Sequence, residues 1–136
     1  MRKIVLKAGV TKEDTKKILV EYSHSISGCV MHCYSYDLES ALEFKELGCV
    51  FGVGGVVTFK NGKVLQEAVK GLELADIVLE TDCPYLAPEP YRGKRNSSVY
   101  LPHVAEAVAG IKGISTDEVA AKTNENAKKL FPRLSI

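Results

Sequence analysis

Two side chains that suit a divalent cation stand at the ends of apolar segments. His32 lies near the end of the run Gly28–Cys33, and Asp82 follows the run Ala75–Glu80. Imidazole nitrogens and carboxylates are common metal ligands, and a carboxylate can also take a proton from a bound water. We therefore interpret His32 and Asp82 as candidate metal ligands, and Asp82 also as the candidate catalytic base. Taken alone, His32 could equally be a core histidine bonded to a backbone carbonyl, and Asp82 a turn cap.

A basic segment follows Asp82 along the chain. Residues 89–96 carry three basic side chains and one acid. Arg92 and Arg95 could each donate a pair of hydrogen bonds to phosphate oxygens, and Asn96 could add further donors. We interpret these three as candidate substrate-binding residues. A solvated charged loop is the alternative, and the position next to Asp82 favours the functional interpretation.

The elements that must position these residues follow a repeating strand–helix pattern. Four runs predict buried strands: Lys3–Leu6, Gly28–Cys33, Cys49–Val53 and Ala75–Glu80. Runs that are almost wholly apolar are expected of parallel strands covered on both faces. Side chains at the carboxyl ends of parallel strands point towards one common face. The pattern thus predicts four parallel strands in chain order, with His32 and Asp82 at the same end.

Helical patterns lie between and after these runs. Thr11 and Asp37 are predicted N-caps, Pro102 begins a later helix, and Ser115 forms a capping box with Glu118. A short helix is predicted over residues 61–70, Gly48 ends the helix after Asp37, and the last helix runs to about Phe131. The residues predicted to face inward repeat at helical spacing: Thr15, Ile18, Leu19 and Tyr22; Leu38, Ala41 and Leu42; Val104, Ala107, Val108 and Ile111.

Length and composition suit one soluble domain over residues 1–136. Hydrophobic residues make up 46% and charged residues 26%, and the formal net charge is +1. So small a charge argues against nonspecific nucleic-acid binding over the whole surface. No apolar stretch suits a membrane span or a signal peptide, so a cytoplasmic location without a membrane partner is the default expectation. The strand–helix repeat fits both an open doubly wound sheet and a barrel, although no dinucleotide-binding glycine motif follows the first strand.

The four cysteines do not predict a zinc site built from four sulfurs. Cys29 and Cys33 form the one close pair, and no second pair completes such a site. We expect both to be reduced, buried thiols. Cys83 directly follows Asp82 and is expected to line the site without taking part in the chemistry.

Five segments, taken together, resemble the TatD family of metal-dependent deoxyribonucleases. Residues 30–35 resemble the family's MHCFSG, residues 54–61 its GGVVTFKN, and residues 79–88 its LETDAPYLAP. Residues 92–96 match RGKRN outright, and residues 123–131 resemble TTENARRLF. The segments occur in order and at the family's spacing over nearly the whole chain.

The resemblance implies an α/β fold of the (β/α)₈ TIM-barrel type and hydrolysis of DNA phosphodiester bonds. It implies that one or two divalent ions, Mg²⁺, Mn²⁺ or Zn²⁺, activate water and neutralise the phosphate. On this basis His32 is a metal ligand, and Asp82 is a metal ligand and general base. Arg92, Arg95 and Asn96 would hold the loop or the DNA substrate.

The chain departs from the family pattern in ways that bear on activity. The family's histidine pair spaced H-x-H and its glutamate ligand have no counterpart, and Lys7 stands where relatives carry a histidine. A protonated lysine has no lone pair for a metal, so metal binding is expected to be impaired. Tyr36 replaces a glycine, and Ser97 and Ser98 replace the family's EP.

Length agrees with these gaps, because a complete barrel takes about 250 residues. We expect the C-terminal half of a barrel, with four parallel strands and helices and without the N-terminal half. The chain would be a truncated or split enzyme, weakly active alone, that forms a homodimer or joins a separate N-terminal half-chain. The alternative is a non-catalytic remnant that self-associates and binds nucleic acid weakly. A flavodoxin-like small-molecule-binding domain is disfavoured, because the five segments do not belong to it.

Overall fold

A computed structural model describes residues 2–7 and 11–134, in which strands and helices alternate. The strands are β1 (Arg2–Lys7), β2 (Ile26–His32), β3 (Cys49–Val53) and β4 (Ile77–Leu79). The α-helices are α1 (Lys12–Tyr22), α2 (Leu38–Glu46), α3 (Lys63–Gly71), α4 (Leu101–Lys112) and α5 (Thr116–Leu130). Short 3₁₀ turns cover Ser23–Ser25, Gly55–Thr58, Leu74–Asp76 and Ser98–Tyr100. No helix of the described residues is both long and apolar enough to cross a bilayer.

The strands form one sheet in the order β1–β2–β3–β4, and every neighbouring pair is parallel. This is the arrangement that the strand–helix repeat predicts. The register places Lys7 beside His32. β4 begins later than predicted, because a 3₁₀ turn occupies Leu74–Asp76, and it ends at Leu79. Asp82 therefore lies in the loop beyond β4 and not at the end of the strand.

One face of the sheet packs against α2, α3, α4 and α5 and forms the main core. Phe44, Phe51 and Ile77 are completely buried there, and Val104 and Val108 of α4 belong to the same hydrophobic cluster. Truncating a buried phenylalanine to alanine typically costs about 3–5 kcal/mol of folding free energy. This core fixes the position of the sheet edge that carries the candidate site.

The opposite face of the sheet is covered near its amino end by the end of α5. Val30, Val50 and Val78 pack there against Ala127 and Leu130. The Asn126 amide donates hydrogen bonds of 2.8 Å to the carbonyls of Leu74 and Ile77, which fixes α5 against β4. Because side chains alternate along a strand, His32 lies on the same face as Val30, at the open carboxyl end.

The predicted caps form as expected. The Thr11 hydroxyl accepts a hydrogen bond from the Asp14 amide at 3.2 Å. The Asp37 carboxylate accepts one from the Ser40 amide at 2.9 Å, and the Ser115 hydroxyl accepts one from the Glu118 amide at 3.1 Å. Gly48, which was expected to end α2, follows it with a φ of +81°, a value that favours glycine. Local sequence thus sets these helix ends.

Three residues expected to face inward are exposed instead. Ile18 and Tyr22 of α1 are 44% and 51% exposed, and Leu42 of α2 is 47% exposed. Only Thr15 and Leu19 of α1 are buried, while Phe44 and Ala41 fill the inward face of α2. The prediction was wrong because helical spacing identifies a candidate face without saying whether another element covers it.

All four cysteines are free thiols. Cys29 and Cys49 are buried neighbours across β2 and β3, so the expectation for Cys29 is confirmed. Cys33 was expected to be buried in a strand, but it is only partly buried and follows β2 with a φ of +51°. The backbone changes direction at Cys33 and bonds to the sheet again through the Tyr34 amide, which donates to the Gly52 carbonyl at 3.0 Å.

Candidate active site at the carboxyl edge of the sheet

His32 is the last residue of β2, so the sheet fixes its position at the carboxyl edge. Its Nε2 lies 3.7 Å from Oε2 of Glu80, and its side chain is 24% exposed. Its Nδ1 is buried and has no hydrogen-bond partner within the described part of the chain. One ring nitrogen therefore faces a carboxylate, and the other is an available polar atom in a buried position.

Glu80 is a functional candidate that the sequence interpretation did not single out. Its amide continues the ladder beyond β4 by donating to Val53, and its Oε1 accepts from the Cys33 amide at 2.5 Å. The carboxylate crosses β3 above Gly52, where an added Cβ would lie 2.1 Å from Oε2. The absence of a side chain at Gly52 thus leaves the space in which Glu80 reaches His32.

The surroundings of Glu80 change its protonation. Burial raises the pKa of Glu80 from its ordinary value of 4.5 to about 7, the hydrogen bond from Cys33 opposes the shift, and the negative charge of Asp82 adds to it. A carboxyl group with such a pKa exchanges a proton near neutral pH, as general acids and bases must. Geometry and electrostatics together make Glu80 a candidate for proton transfer.

Asp82 lies two residues further on, in the loop after β4. It is partly buried, and its carbonyl accepts from the Tyr85 amide at 2.7 Å in an isolated antiparallel bridge. The edge of the sheet therefore carries His32 and Glu80 in contact, with Asp82 in the loop two residues after Glu80.

These donors suit a divalent ion chemically but do not complete a metal site. Among residues 2–7 and 11–134, no group of three His, Cys, Asp or Glu side chains is placed to share one ion. A catalytic zinc site typically takes three protein ligands and an open position. Of these donors, Nδ1 of His32 is buried and has no hydrogen-bond partner among the described residues. The residues described here therefore fit part of a coordination shell and do not by themselves fit a metal ion.

Of the three predicted substrate-binding residues, Arg95 and Asn96 line one hollow and Arg92 lines a neighbouring one. The Arg92 guanidinium lies 4.1 Å above the ring of Phe59 and is exposed. Arg95 is also exposed and lines a hollow of about 620 Å³. Thr81 and Cys83, the residues on either side of Asp82, line the same hollow. Arg95 is thus the basic residue of this loop that shares a hollow with the neighbours of Asp82.

Asn96 is 4% exposed and bonded to the loop backbone. Its side chain donates to the Tyr85 carbonyl at 2.7 Å and accepts from the Ser97 amide at 2.8 Å, while its own amide donates to the Pro84 carbonyl at 2.9 Å. The structure therefore places Asn96 as a brace of the loop. Sequence reasoning recognised it as a polar residue of the motif but could not show which groups its amide would meet.

The other candidates occupy peripheral positions. Cys83 is exposed and lines the Arg95 hollow, where its Sγ lies 3.1 Å from the Thr81 hydroxyl. His24 is exposed in the turn after α1. His103 pairs with Glu106 on α4 at 3.2 Å. The sequence signals for Glu80 were Gly52 of β3 and the spacing of Glu80 from Asp82, and neither is specific alone.

Comparison with known sequences identifies one family over most of the chain. A family described as TatD related DNase matches residues 3–132. The metal-dependent hydrolase YabD of Bacillus subtilis is 43% identical over 119 residues, which is 88% of this chain and 47% of that protein. The metal-dependent hydrolase YcfH of Escherichia coli is 39% identical over 120 residues, covering 88% of this chain and 45% of that protein.

Solved structures show the same fold. The crystal structure of YJJV, a TatD homologue from Escherichia coli, superposes with a TM-score of 0.88 at 26% identity, covering 97% of this chain and 51% of that one. A TatD-family hydrolase from Entamoeba histolytica superposes with a TM-score of 0.83 at 20% identity, over 96% of this chain and 51% of that one. The present chain thus spans about half the length of the relatives that it matches.

Proposed function

Because the chain belongs to the TatD family, we propose that it contributes half of the active site of a metal-dependent hydrolase that cleaves DNA phosphodiester bonds. The observation that carries the proposal is the contact between His32 and Glu80 at the carboxyl edge of a parallel sheet. Active sites of such sheets lie at this edge. The names of the hydrolase relatives support a metal ion, and the description of the family supports DNA as the substrate.

Each residue has a distinct task in this proposal. His32 and Asp82 would hold the ion together with donors from outside these 136 residues. When bound, the ion supplies an activated water and neutralises phosphate charge. Glu80 is the candidate for proton transfer, because its carboxylate contacts His32 at the edge where the ion would be held. Arg95 is exposed at the hollow that Thr81 and Cys83 also line, and it would bind a phosphate oxygen.

The four-stranded sheet corresponds in this proposal to half of a (β/α)₈ barrel. The strands that close the barrel would come from sequence outside these residues, on the same polypeptide or a second one, or from a second copy of this chain. A second copy would bring the same donors and the same Lys7, so it would not supply the ligands that are absent. Activity of these 136 residues alone is therefore expected to be weak.

The proposal is tested by DNA hydrolysis with Mg²⁺, Mn²⁺ or Zn²⁺, with and without a chelator. We expect slow turnover at best, sensitive to the chelator and abolished by Asp82→Ala. Asp117→Ala is a matched control, because Asp117 is an exposed carboxylate in the first turn of α5. Turnover that survives both the chelator and Asp82→Ala would contradict the proposal.

A second candidate is a non-catalytic domain that binds nucleic acid. It is favoured by the lack of a three-donor cluster in the described residues and by the exposed Arg92, Lys94 and Arg95. Salt-dependent DNA binding without hydrolysis, even with the remainder of a barrel supplied, would select this alternative.

A further inference from the structure

A pair of buried cysteines faces each other across β2 and β3. Cys29 and Cys49 are partners in the parallel register and are 1% and 3% exposed. Both are free thiols, and both belong to the main hydrophobic cluster, so their side chains lie on the same face of the sheet. Neighbouring strands lie about 4.7–4.9 Å apart, and disulfides join Cα atoms that are about 4.4–6.8 Å apart. The backbone thus holds the two thiols at a separation that a disulfide can bridge.

The two thiols are in direct contact, and the contact makes them unequal. The hydrogen bond from the Cys49 thiol lowers the pKa of Cys29, and burial opposes that shift. The same hydrogen bond, together with burial and the charge of Cys29, raises the pKa of Cys49. The thiolate is the nucleophilic form of cysteine. Cys29 is therefore the more nucleophilic sulfur of the pair, and Cys49 holds a proton beside it.

A hollow of about 350 Å³ at the amino end of the sheet reaches one of these two sulfurs. Cys29 lines it together with Ile26, Ser27 and Leu47. Among the described residues, Cys29 is the cysteine that borders this hollow, and Cys49 lies behind it in the core. A small polar reagent can therefore approach Cys29 from solvent, whereas Cys49 is reached through Cys29.

We propose that Cys29 and Cys49 form a peroxide-oxidisable pair that closes a reversible disulfide between β2 and β3. The Cys29 thiolate attacks one oxygen of hydrogen peroxide, the O–O bond breaks, and the released hydroxide takes up a proton, which leaves a sulfenic acid at Cys29. The Cys49 sulfur then attacks the Cys29 sulfur and loses its proton, the S–O bond breaks, and the oxygen leaves as water. One peroxide is reduced to two waters, and the two thiols lose two electrons and two protons.

The disulfide would join the two strands that hold the candidate active site. β2 ends at His32, and β3 carries Gly52, above which the Glu80 carboxylate lies. A cross-link restricts the unfolded chain and thereby stabilises the fold. Peroxide oxidation needs neither a metal ion nor DNA, so this inference is independent of the proposed function.

The test uses the full chain with Cys33→Ser and Cys83→Ser, in which Cys29 and Cys49 are the remaining thiols. The folded protein is treated with hydrogen peroxide in EDTA, then unfolded in an alkylating agent and analysed by mass spectrometry. We expect the loss of two hydrogens, no alkylated thiol, and recovery of both thiols with dithiothreitol. Trypsin cleaves after Lys45, between the two cysteines, so a disulfide-linked pair of peptides identifies the bond.

Single substitutions in this background separate the roles of the two sulfurs. Cys49→Ser should leave a sulfenic acid at Cys29 that dimedone traps. Cys29→Ser should leave Cys49 as a thiol that is alkylated after unfolding, because the hollow does not reach it. Oxidation of the parent should move the midpoint of urea unfolding to a higher concentration, and dithiothreitol should reverse the shift. Circular dichroism checks that each variant folds, and the mass measurement on the parent does not depend on either substitution.

Three results would overturn the inference. The first is that Cys29 and Cys49 both stay alkylatable under conditions that oxidise the exposed Cys83 of wild type. The second is a disulfide that joins two chains or that forms only in urea. The third is a lower urea midpoint of the oxidised protein, which would show that the sheet does not accommodate the bond.

Discussion

At the scale of single residues, Gly52 controls where the Glu80 carboxylate lies. A Cβ at position 52 would stand 2.1 Å from Oε2 of Glu80 and 2.5 Å from its Cδ. The carboxylate of Glu80 would then have to move away from His32 and from the Cys33 amide. Gly52 is thus a positioning residue for the candidate acid–base group.

We predict that Gly52→Ala destabilises the protein by about 1–3 kcal/mol, the usual cost of overpacking. In a Glu80→Ala background the cost should largely disappear, because the clashing side chain is absent. Urea unfolding of the four proteins in this double-mutant cycle measures it. Gly110→Ala in α4 is the control, because an added Cβ at position 110 would meet no neighbouring atom within 4 Å. This substitution should increase the free energy of unfolding by about 0.5–1 kcal/mol. An equal cost of Gly52→Ala in both backgrounds would disprove the clash.

Sequence reasoning reached some site residues and missed others for physical reasons. His32 was singled out because it ends an apolar run, as Asp82 follows another, and the structure places it at the carboxyl edge of the sheet. Glu80 was taken for the end of a strand, because its role depends on the empty space above Gly52 on another strand. Asn96 was recognised as polar, but its brace to Tyr85 and Pro84 depends on the path of the loop.

At the scale of elements, helix ends follow local chemistry closely, and Asp37 of α2 is the clearest example. Its Oδ1 accepts from the Ser40 hydroxyl at 2.6 Å and the Ser40 amide at 2.9 Å. These two bonds hold the pKa of Asp37 below its ordinary value of 3.8, and the bond from the Ser40 hydroxyl contributes most. A carboxylate with a lowered folded-state pKa stabilises the fold above its unfolded pKa, and this contribution is lost as the pH falls through the folded value.

We therefore predict that the stability advantage of wild type over Asp37→Asn shrinks between pH 6 and pH 3. Asparagine still caps a helix but does not titrate, so its contribution is independent of pH. Chemical unfolding followed by circular dichroism at several pH values measures the difference. Asp117→Asn is the control, because Asp117 is an exposed acid that does not cap α5. A difference between wild type and Asp37→Asn that is constant with pH would refute this account of the cap.

The elements themselves were largely predictable, and their surroundings were not. The strand–helix repeat and the caps predict the parallel order, because both depend on neighbours in sequence. The exposure of Ile18 and Tyr22 was not predictable, because it depends on what packs against α1. The shortening of β4 arises from the turn at Leu74–Asp76, which sequence reasoning assigned partly to the strand.

At the scale of the whole molecule, the described sheet has two edges, β1 and β4, each with a single neighbour. Beside the β1 edge in sequence, α1 exposes Ile18, Val20 and Tyr22 at 44%, 52% and 51%. Unpaired strand edges and exposed apolar side chains favour association. We propose that these surfaces are covered by another chain segment or by a second copy.

We predict self-association of the isolated chain at micromolar concentration, measured by light scattering. Ile18→Lys should weaken it, because it places a charge on the helix face that Ile18 shares with Tyr22, one turn further along α1. Val64→Lys on α3 is the matched control, since Val64 is 55% exposed but belongs to a different helix. A stable monomer of wild type at these concentrations would contradict the prediction.

The central claim is that this chain supplies half of a metal-dependent site, and DNA hydrolysis after complementation tests it most directly. The chain is mixed with the segment of Bacillus subtilis YabD that lies outside the matched part, in the presence of Mn²⁺. The account predicts little turnover by either piece alone, and turnover by the mixture that Asp82→Ala abolishes and Asp117→Ala preserves. Robust turnover by this chain alone, or turnover of the mixture that is unchanged by Asp82→Ala, would contradict it.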